Sequence, residues 1–175
     1  KIKLLNNLKN CGQSFSLING INKSKFDIII SLDGDGQNNP KDIPKVLNLY
    51  FSNKDVFLVG GIREKRNDSL LKIVSSKVAN RVRNFILQDD CLDTGCSLKA
   101  FDRDVFLTFP FFNGIHRFLP ALFKGYGKKT LFIQVDHRAR IYGLSKYGTF
   151  SRLIRGIRDL IRVVIIIKKF KRGNA

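Results

Sequence analysis

Residues 26–40 read FDIIISLDGDGQNNP, and this stretch decides the fold. Its first half is an almost continuous apolar run, the pattern of a strand buried on both faces. The run stops at a turn-rich GDGQNNP. In extended chain, residues two apart point to the same side, so Asp33, Asp35 and Gln37 present hard oxygen donors together at a strand end. Such a set suits one divalent cation bridging a diphosphate, and Gly34 and Gly36 allow a phosphate to approach closely. A calcium-binding EF-hand is excluded, because its required glycine falls on Asn38 and its terminal glutamate on Pro44.

Outward from this stretch, strands and helices alternate. Upstream, a short strand is expected at 2–5 and a helix at 14–23. Downstream, a helix begins between Pro40 and Pro44 and ends near Ser52, followed by a buried strand at 56–59 that Gly60 and Gly61 close. Leu71, Val74, Val78, Val82 and Phe85 recur at helical spacing, which predicts a helix over 69–87 covering a sheet. Strands at 97–101 and 130–137 flank a helix at 116–124. The class is α/β with a mostly parallel central sheet. Ligands of such sheets sit beyond the carboxyl ends of the strands, which directs attention to the loops after Leu32 and Val59.

The 175 residues suffice for one domain with a substantial core, and 43% hydrophobic with 26% charged residues is a globular balance. The 32 Lys and Arg against 14 Asp and Glu give a net charge of +18, which points to an anionic partner. A nucleic-acid ligand is not expected, because the aromatics lie in apolar runs such as FPFF instead of among basic residues. Cys11, Cys91 and Cys96 form no CxxC pair and leave an odd thiol, so they read as free thiols in a reducing compartment. GYGKKT at 125–130 does not complete a phosphate loop, since Leu122 occupies the first glycine position. Met is absent and the chain opens on Lys1, so it reads as part of a longer protein.

Six stretches occur in order: GQSFSLINGI (12–21), LDGDGQNNP (32–40), GIREKRND (61–68), DTGCSLKAF (93–101), HRFLPAL (116–122) and HRARIYGLSKYG (137–148). Together they resemble the polyprenyl-phosphate glycosyltransferases of glycosyltransferase family 2, which include the dolichyl-phosphate mannose synthases. The resemblance implies a Rossmann-like GT-A fold in residues 1–148, lacking its first strand. It implies inverting transfer of a hexose from a nucleotide sugar, GDP-mannose or a UDP-hexose, to a polyprenyl phosphate such as undecaprenyl or dolichyl phosphate. The implied metal is Mg2+ or Mn2+, held by Asp33, Asp35 and Gln37, with Gly12 and Gln13 beside the donor diphosphate. Asp33, Asp35 and Asp93 are the implied catalytic residues, Asp93 as base or acceptor positioner. Arg63, Arg66, Arg140, Ser145 and Lys146 are the implied acceptor-phosphate residues. His116 and His137 lie in matched stretches and are read as structural or phosphate-neighbouring groups. A family 2 enzyme that glycosylates a polysaccharide or another non-lipid acceptor is the alternative.

The segment 149–175 is expected to form a basic amphipathic juxtamembrane helix. Leu153, Ile154, Ile157, Leu160, Ile161, Val164 and Ile165 fall on one face, and Arg152, Arg155, Asp159 and Arg162 on the other. Between 137 and 172, eleven Lys and Arg face a single Asp, which favours an anionic membrane surface, expected to be the cytoplasmic face. No window is apolar and long enough for a spanning helix.

Overall fold

The apolar run after Phe26 forms strand β1 (Ile28–Ser31) in the computed structural model, which describes residues 2–64, 70–138 and 149–173, with backbone alone at 70–77 and 149–154. Three further strands, β2 (Val56–Arg63), β3 (Lys99–Asp102) and β4 (Lys129–Val135), complete a sheet ordered β1-β3-β2-β4. β2 and β4 pair in parallel, whereas β3 pairs antiparallel with both β1 and β2. Three strands therefore share one direction and β3 runs against them, so the sheet is mixed where a mostly parallel one was expected. The residues from 97 onward read as a strand from composition, but which neighbours it joins, and in which sense, follows from packing on both faces.

Two expectations are corrected here. Residues 2–5 form no strand, and Ile2 and Leu4 stand in solvent at 101% and 82% exposure. Gly60 and Gly61 do not close β2, which continues through them to Arg63. A Cβ on Gly61 would lie 2.8 Å from both Cys96 Sγ and Val135 Cγ2, so the missing side chain lets β2 pass between its neighbours.

The helices are α1 (Gln13–Lys23), α2 (Ile43–Phe51), α3 (Leu70–Leu87), α4 (Arg103–Leu107), α5 (Leu119–Gly125) and α6 (Thr149–Gly173). Single 3-10 turns at Pro40–Asp42 and Ile115–Arg117 lead into α2 and toward α5. The short α4 has no counterpart in the sequence reading; it begins because the Asp102 carboxylate caps it, accepting from the Val105 N–H at 2.7 Å. One core gathers Phe101, Phe106, Leu119, Leu122, Phe123 and Val163, and a second gathers Val46, Val59, Leu98 and Val135 on the other face.

α3 departs from its expected amphipathicity. Val78, Val82 and Phe85 are exposed, while Arg83, placed off the apolar stripe, is buried. Arg83 turns inward because a hook at 88–91 receives it: its guanidinium pairs with Asp89 at 3.2 Å and donates to the Cys91 carbonyl. Burial raises the Asp89 pKa despite that partner.

The buried face of α6 is rotated from the apolar face expected, sharing Leu160 with it. Leu160, Ile166 and Ile167 pack on the first core beside the fully buried Val163, and Phe170 stacks on Tyr126 with ring centroids 3.7 Å apart. Ile157, Ile161 and Ile165 remain outside, about half exposed. Asp159, expected on the solvated face, is buried against the turn before α5.

Candidate active site

The chain leaves β1 through Ser31 and turns so that Asp33 enters the wall of a cavity of about 520 Å³. Gln13, Ser97, Lys99, His116 and Arg117 also line it. The turn is fixed from both sides. The Asp33 N–H donates to Asn38 Oδ1 at 3.2 Å and Ser97 Oγ at 3.1 Å, and the Ser97 hydroxyl donates to Asn38 Oδ1 at 2.6 Å. Gln13, the first residue of α1, donates from Nε2 to Asp33 Oδ1 at 2.9 Å. Gly12 precedes it as the helix N-cap at φ 82°.

Asp35 and Gln37 stand farther along the same turn and do not line the cavity. Asp35 Oδ1 accepts from the Gln37 N–H at 3.1 Å, while Gln37 Nε2 approaches His137 Nε2 at 3.4 Å. The Gln37 carbonyl accepts from the Arg138 N–H at 2.9 Å, which ties this turn to the segment after β4.

Among the described residues no three His, Cys, Asp or Glu side chains converge as a ready-made metal cluster. Two carboxylates on one turn, with an amide oxygen donor nearby, fit a hard cation of the Mg2+ kind, which commonly takes one or two carboxylates and completes its shell with water and substrate phosphates.

Arg63 and Asp93, read from the sequence as separate groups, form one pair. Arg63 donates from Nε to Asp93 Oδ2 and from Nη2 to Oδ1, each at 2.7 Å, and its backbone N–H also reaches Oδ2 at 3.2 Å. Both side chains are largely buried, at 12% and 7% exposure. Gly95 lets the guanidinium lie flat against the chain, since a Cβ there would be 2.7 Å from Nη2. Arg66, Arg140, Ser145 and Lys146 lie outside the described residues.

Lys99, Arg117 and Ser14 lie in the quoted stretches, but the sequence reading gave them no role. Lys99 is buried, donates to the Cys96 carbonyl, and has its pKa lowered by desolvation, with nearby acidic groups including Asp93 and Asp33 opposing the shift. It belongs to β3, and strand alternation alone does not say that its side chain ends in a cavity. Arg117 donates to Asp159 Oδ2 of α6 at 2.6 Å. Ser14 is fully buried; its Oγ accepts from the Gly114 N–H at 2.8 Å and lies 2.7 Å from His116 Nδ1. Burial, with Arg117 and Lys99 nearby, pushes the His116 pKa down to about 4. The thiols of Cys91 and Cys96 are raised by burial, Cys91 to about 11, so both are protonated at neutral pH.

Comparison with known proteins places this geometry. The undecaprenyl-phosphate 4-deoxy-4-formamido-L-arabinose transferase of Pectobacterium carotovorum is 34% identical over 153 residues, covering 87% of this chain and 46% of that protein. The dodecaprenyl-phosphate galacturonate synthase of Rhizobium johnstonii is 34% identical over 163 residues, covering 91% and 48%. The chain thus spans about half the length of these curated relatives. The crystal structure of glucosyl-3-phosphoglycerate synthase from Mycobacterium tuberculosis, in complex with Mn2+, UDP-glucose and glycerol 3-phosphate, superposes with a TM-score of 0.64 at 16% identity. That likeness covers 89% of this chain and 55% of the other, and it shows the shared GT-A fold. The sequence pattern described as glycosyl transferase family 2 matches residues 1–108, and the chain belongs to that family.

Proposed function

We propose that the protein containing this chain transfers a hexose, with inversion and with a divalent metal, from a nucleotide sugar to a polyprenyl phosphate at a membrane surface. The observation that carries the reading is Asp33, held by Gln13 and Ser97 on the wall of a cavity whose other groups include Lys99 and Arg117. A carboxylate sharing a cavity with a guanidinium and an amine suits a metal-bound diphosphate with a sugar beyond it. Asp33 and Asp35, with Gln37, would hold Mg2+ or Mn2+, which when bound supplies Lewis-acid stabilisation of the departing nucleoside diphosphate. Gln13 keeps the Asp33 carboxylate oriented, and the N–H contacts at Asn38 and Ser97 keep the turn from relaxing.

On the acceptor side, a phosphate monoester has a second pKa of about 6, so its oxygen is largely ionised at neutral pH without a strong general base. Asp93 spends both oxygens on Arg63. Its role in this reading is to fix the guanidinium for the incoming phosphate, together with Arg66, Arg140, Ser145 and Lys146. The two curated relatives are named for undecaprenyl- and dodecaprenyl-phosphate, which supports a lipid phosphate over a polysaccharide acceptor.

The exposed Ile157, Ile161 and Ile165, among Arg155, Arg158 and Arg162, suit an anionic bilayer, on its cytoplasmic face where nucleotide sugars are found. No helix among the described residues is long and apolar enough to cross a membrane. The test is transfer by the full-length protein from UDP-glucose or GDP-mannose to undecaprenyl phosphate in Mg2+ or Mn2+. Transfer that survives chelation, or that prefers a free glycan to the lipid phosphate, would refute the reading.

A further inference from the structure

Ser14, Gly114 and His116 form a small device whose direction is set by counting protons. Ser14 Oγ is buried and takes the Gly114 N–H at 2.8 Å. Its hydroxyl carries one proton, and among the described residues the acceptor within reach is His116 Nδ1 at 2.7 Å. A buried donor left unmade is costly, so the hydroxyl donates to Nδ1. The imidazole then carries its own proton on Nε2. Nε2 has no protein partner among the described residues, and the ring lines the same cavity as Asp33 and Lys99.

The surroundings hold this arrangement. Gly114 sits at φ 116°, where a Cβ would lie 2.5 Å from Asp159 Oδ2, so α6 presses directly on the turn that carries His116. The Arg117–Asp159 contact pins the next residue of that turn. Ser14 is one residue after Gln13, so the helix end that orients Asp33 also sets the histidine tautomer.

We propose that His116 is a sugar-reading residue: its Nε2–H donates to an uncharged oxygen, a hydroxyl of the hexosyl group of the donor. This rests on the donor-site reading given above. A neutral ring suits a neutral oxygen. Arg117 already brings a guanidinium to the same cavity, and the low His116 pKa keeps the ring uncharged beside it. The sequence places His116 in HRFLPAL without indicating which nitrogen bears the proton or what it faces; Ser14, 102 residues away, decides both.

The experiment uses the full-length protein with Mg2+ and two ligand pairs, UDP with UDP-glucose and GDP with GDP-mannose, measured by calorimetry. For the pair that the parent binds, His116→Leu is expected to weaken the nucleotide sugar about tenfold, the worth of one good hydrogen bond, and to change the nucleoside diphosphate less than twofold. His116→Gln, whose amide N–H falls near the Nε2 position, is expected to recover most of that loss. Long-range 1H–15N correlation of the imidazole at pH 7 should report the Nε2–H form, with mixed tautomers in Ser14→Ala. An Nδ1–H ring in the parent overturns the proposal. So does an equal loss for sugar nucleotide and diphosphate, or no loss for either. A parent that binds neither diphosphate refutes the donor-site reading itself, whereas a parent that binds one while His116→Leu matches it refutes this inference alone.

Discussion

The carboxyl ends of β1 and β2 lie in one sheet and carry acidic groups of opposite availability. At the end of β1, the Asp33 carboxylate accepts from the neutral amide of Gln13 and faces a cavity. Beside the end of β2, Asp93 of the turn before β3 is clamped by the Arg63 guanidinium at two points and is buried. The first arrangement keeps a negative charge ready for a cationic ligand. The second neutralises the carboxylate with the guanidinium that it holds in place, and ties the end of β2 to the turn before β3. A carboxylate therefore carries chemistry or structure according to what already neutralises it, and substitutions at the two ends should fail in different ways.

The largest effect is expected at the open end. Asp33→Asn should lower transfer by the full-length enzyme ~100- to 1000-fold, the usual consequence of removing a charge-stabilising group from a site. Far-UV circular dichroism should not change. Turnover within tenfold of the parent would break the contrast, because it would leave Asp33 no more active than Asp93.

At the closed end the loss should appear in stability. Arg63→Ala leaves Asp93 buried without its guanidinium, which typically costs ~3–5 kcal/mol in urea unfolding. The double substitution Arg63→Met with Asp93→Leu should recover most of that, since an apolar pair carries no desolvation cost. A single-variant loss below about 1 kcal/mol would mean that solvent screens the pair.

His116 sharpens the comparison through pH. Its folded pKa of about 4 lies below the ordinary 6.5, so the unfolded chain binds more protons between those values. The contribution is present above pH 6.5 and is lost as pH falls toward 4, amounting to on the order of 2–3 kcal/mol. Urea midpoints measured across that window should fall in the parent and fall less in His116→Gln. A parallel decline in both would assign the acid sensitivity to other groups.

The smallest stability effect is expected on the outer face of α6. Ile161→Ser should alter unfolding by less than ~0.5 kcal/mol, because that side chain is already half exposed. Val163→Ala, two residues away and fully buried, should cost ~2 kcal/mol. Flotation with anionic vesicles should weaken for the first variant and weaken further as salt rises. Unchanged flotation would remove the outer face from any membrane role.

The core of the site was legible in the sequence wherever chemistry is local. A strand running into hard oxygen donors is written in 26–40, and Asp33 at the head of that turn is what the structure places on the cavity wall; the burial expected on both faces is not found, because β1 is an edge strand of half-buried residues with Phe26 exposed. The extents of α1 and α2 were likewise readable, α2 from the prolines at its start, and α6 was readable as a helix although not by its buried face. α3 marks the limit of that reading. Its stripe was regular, yet Arg83 is buried and Val78, Val82 and Phe85 are not, because the hook at Asp89 offers a guanidinium better partners than water does.

The sequence by itself determined the α/β class, the strand-end carboxylates and the family. Tertiary structure alone decided that β3 runs against its neighbours, that Arg63 and Asp93 are one pair, that Lys99 ends in the cavity and that Ser14 sets the His116 tautomer. Asp159 belongs with these, drawn inward by Arg117 from a helix otherwise rich in cations. Each is a contact between residues 30 or more positions apart, or a direction imposed on a strand by neighbours on both faces. Periodicity and turn chemistry act over one or two turns of chain, whereas charge pairing and burial are settled only when distant segments meet.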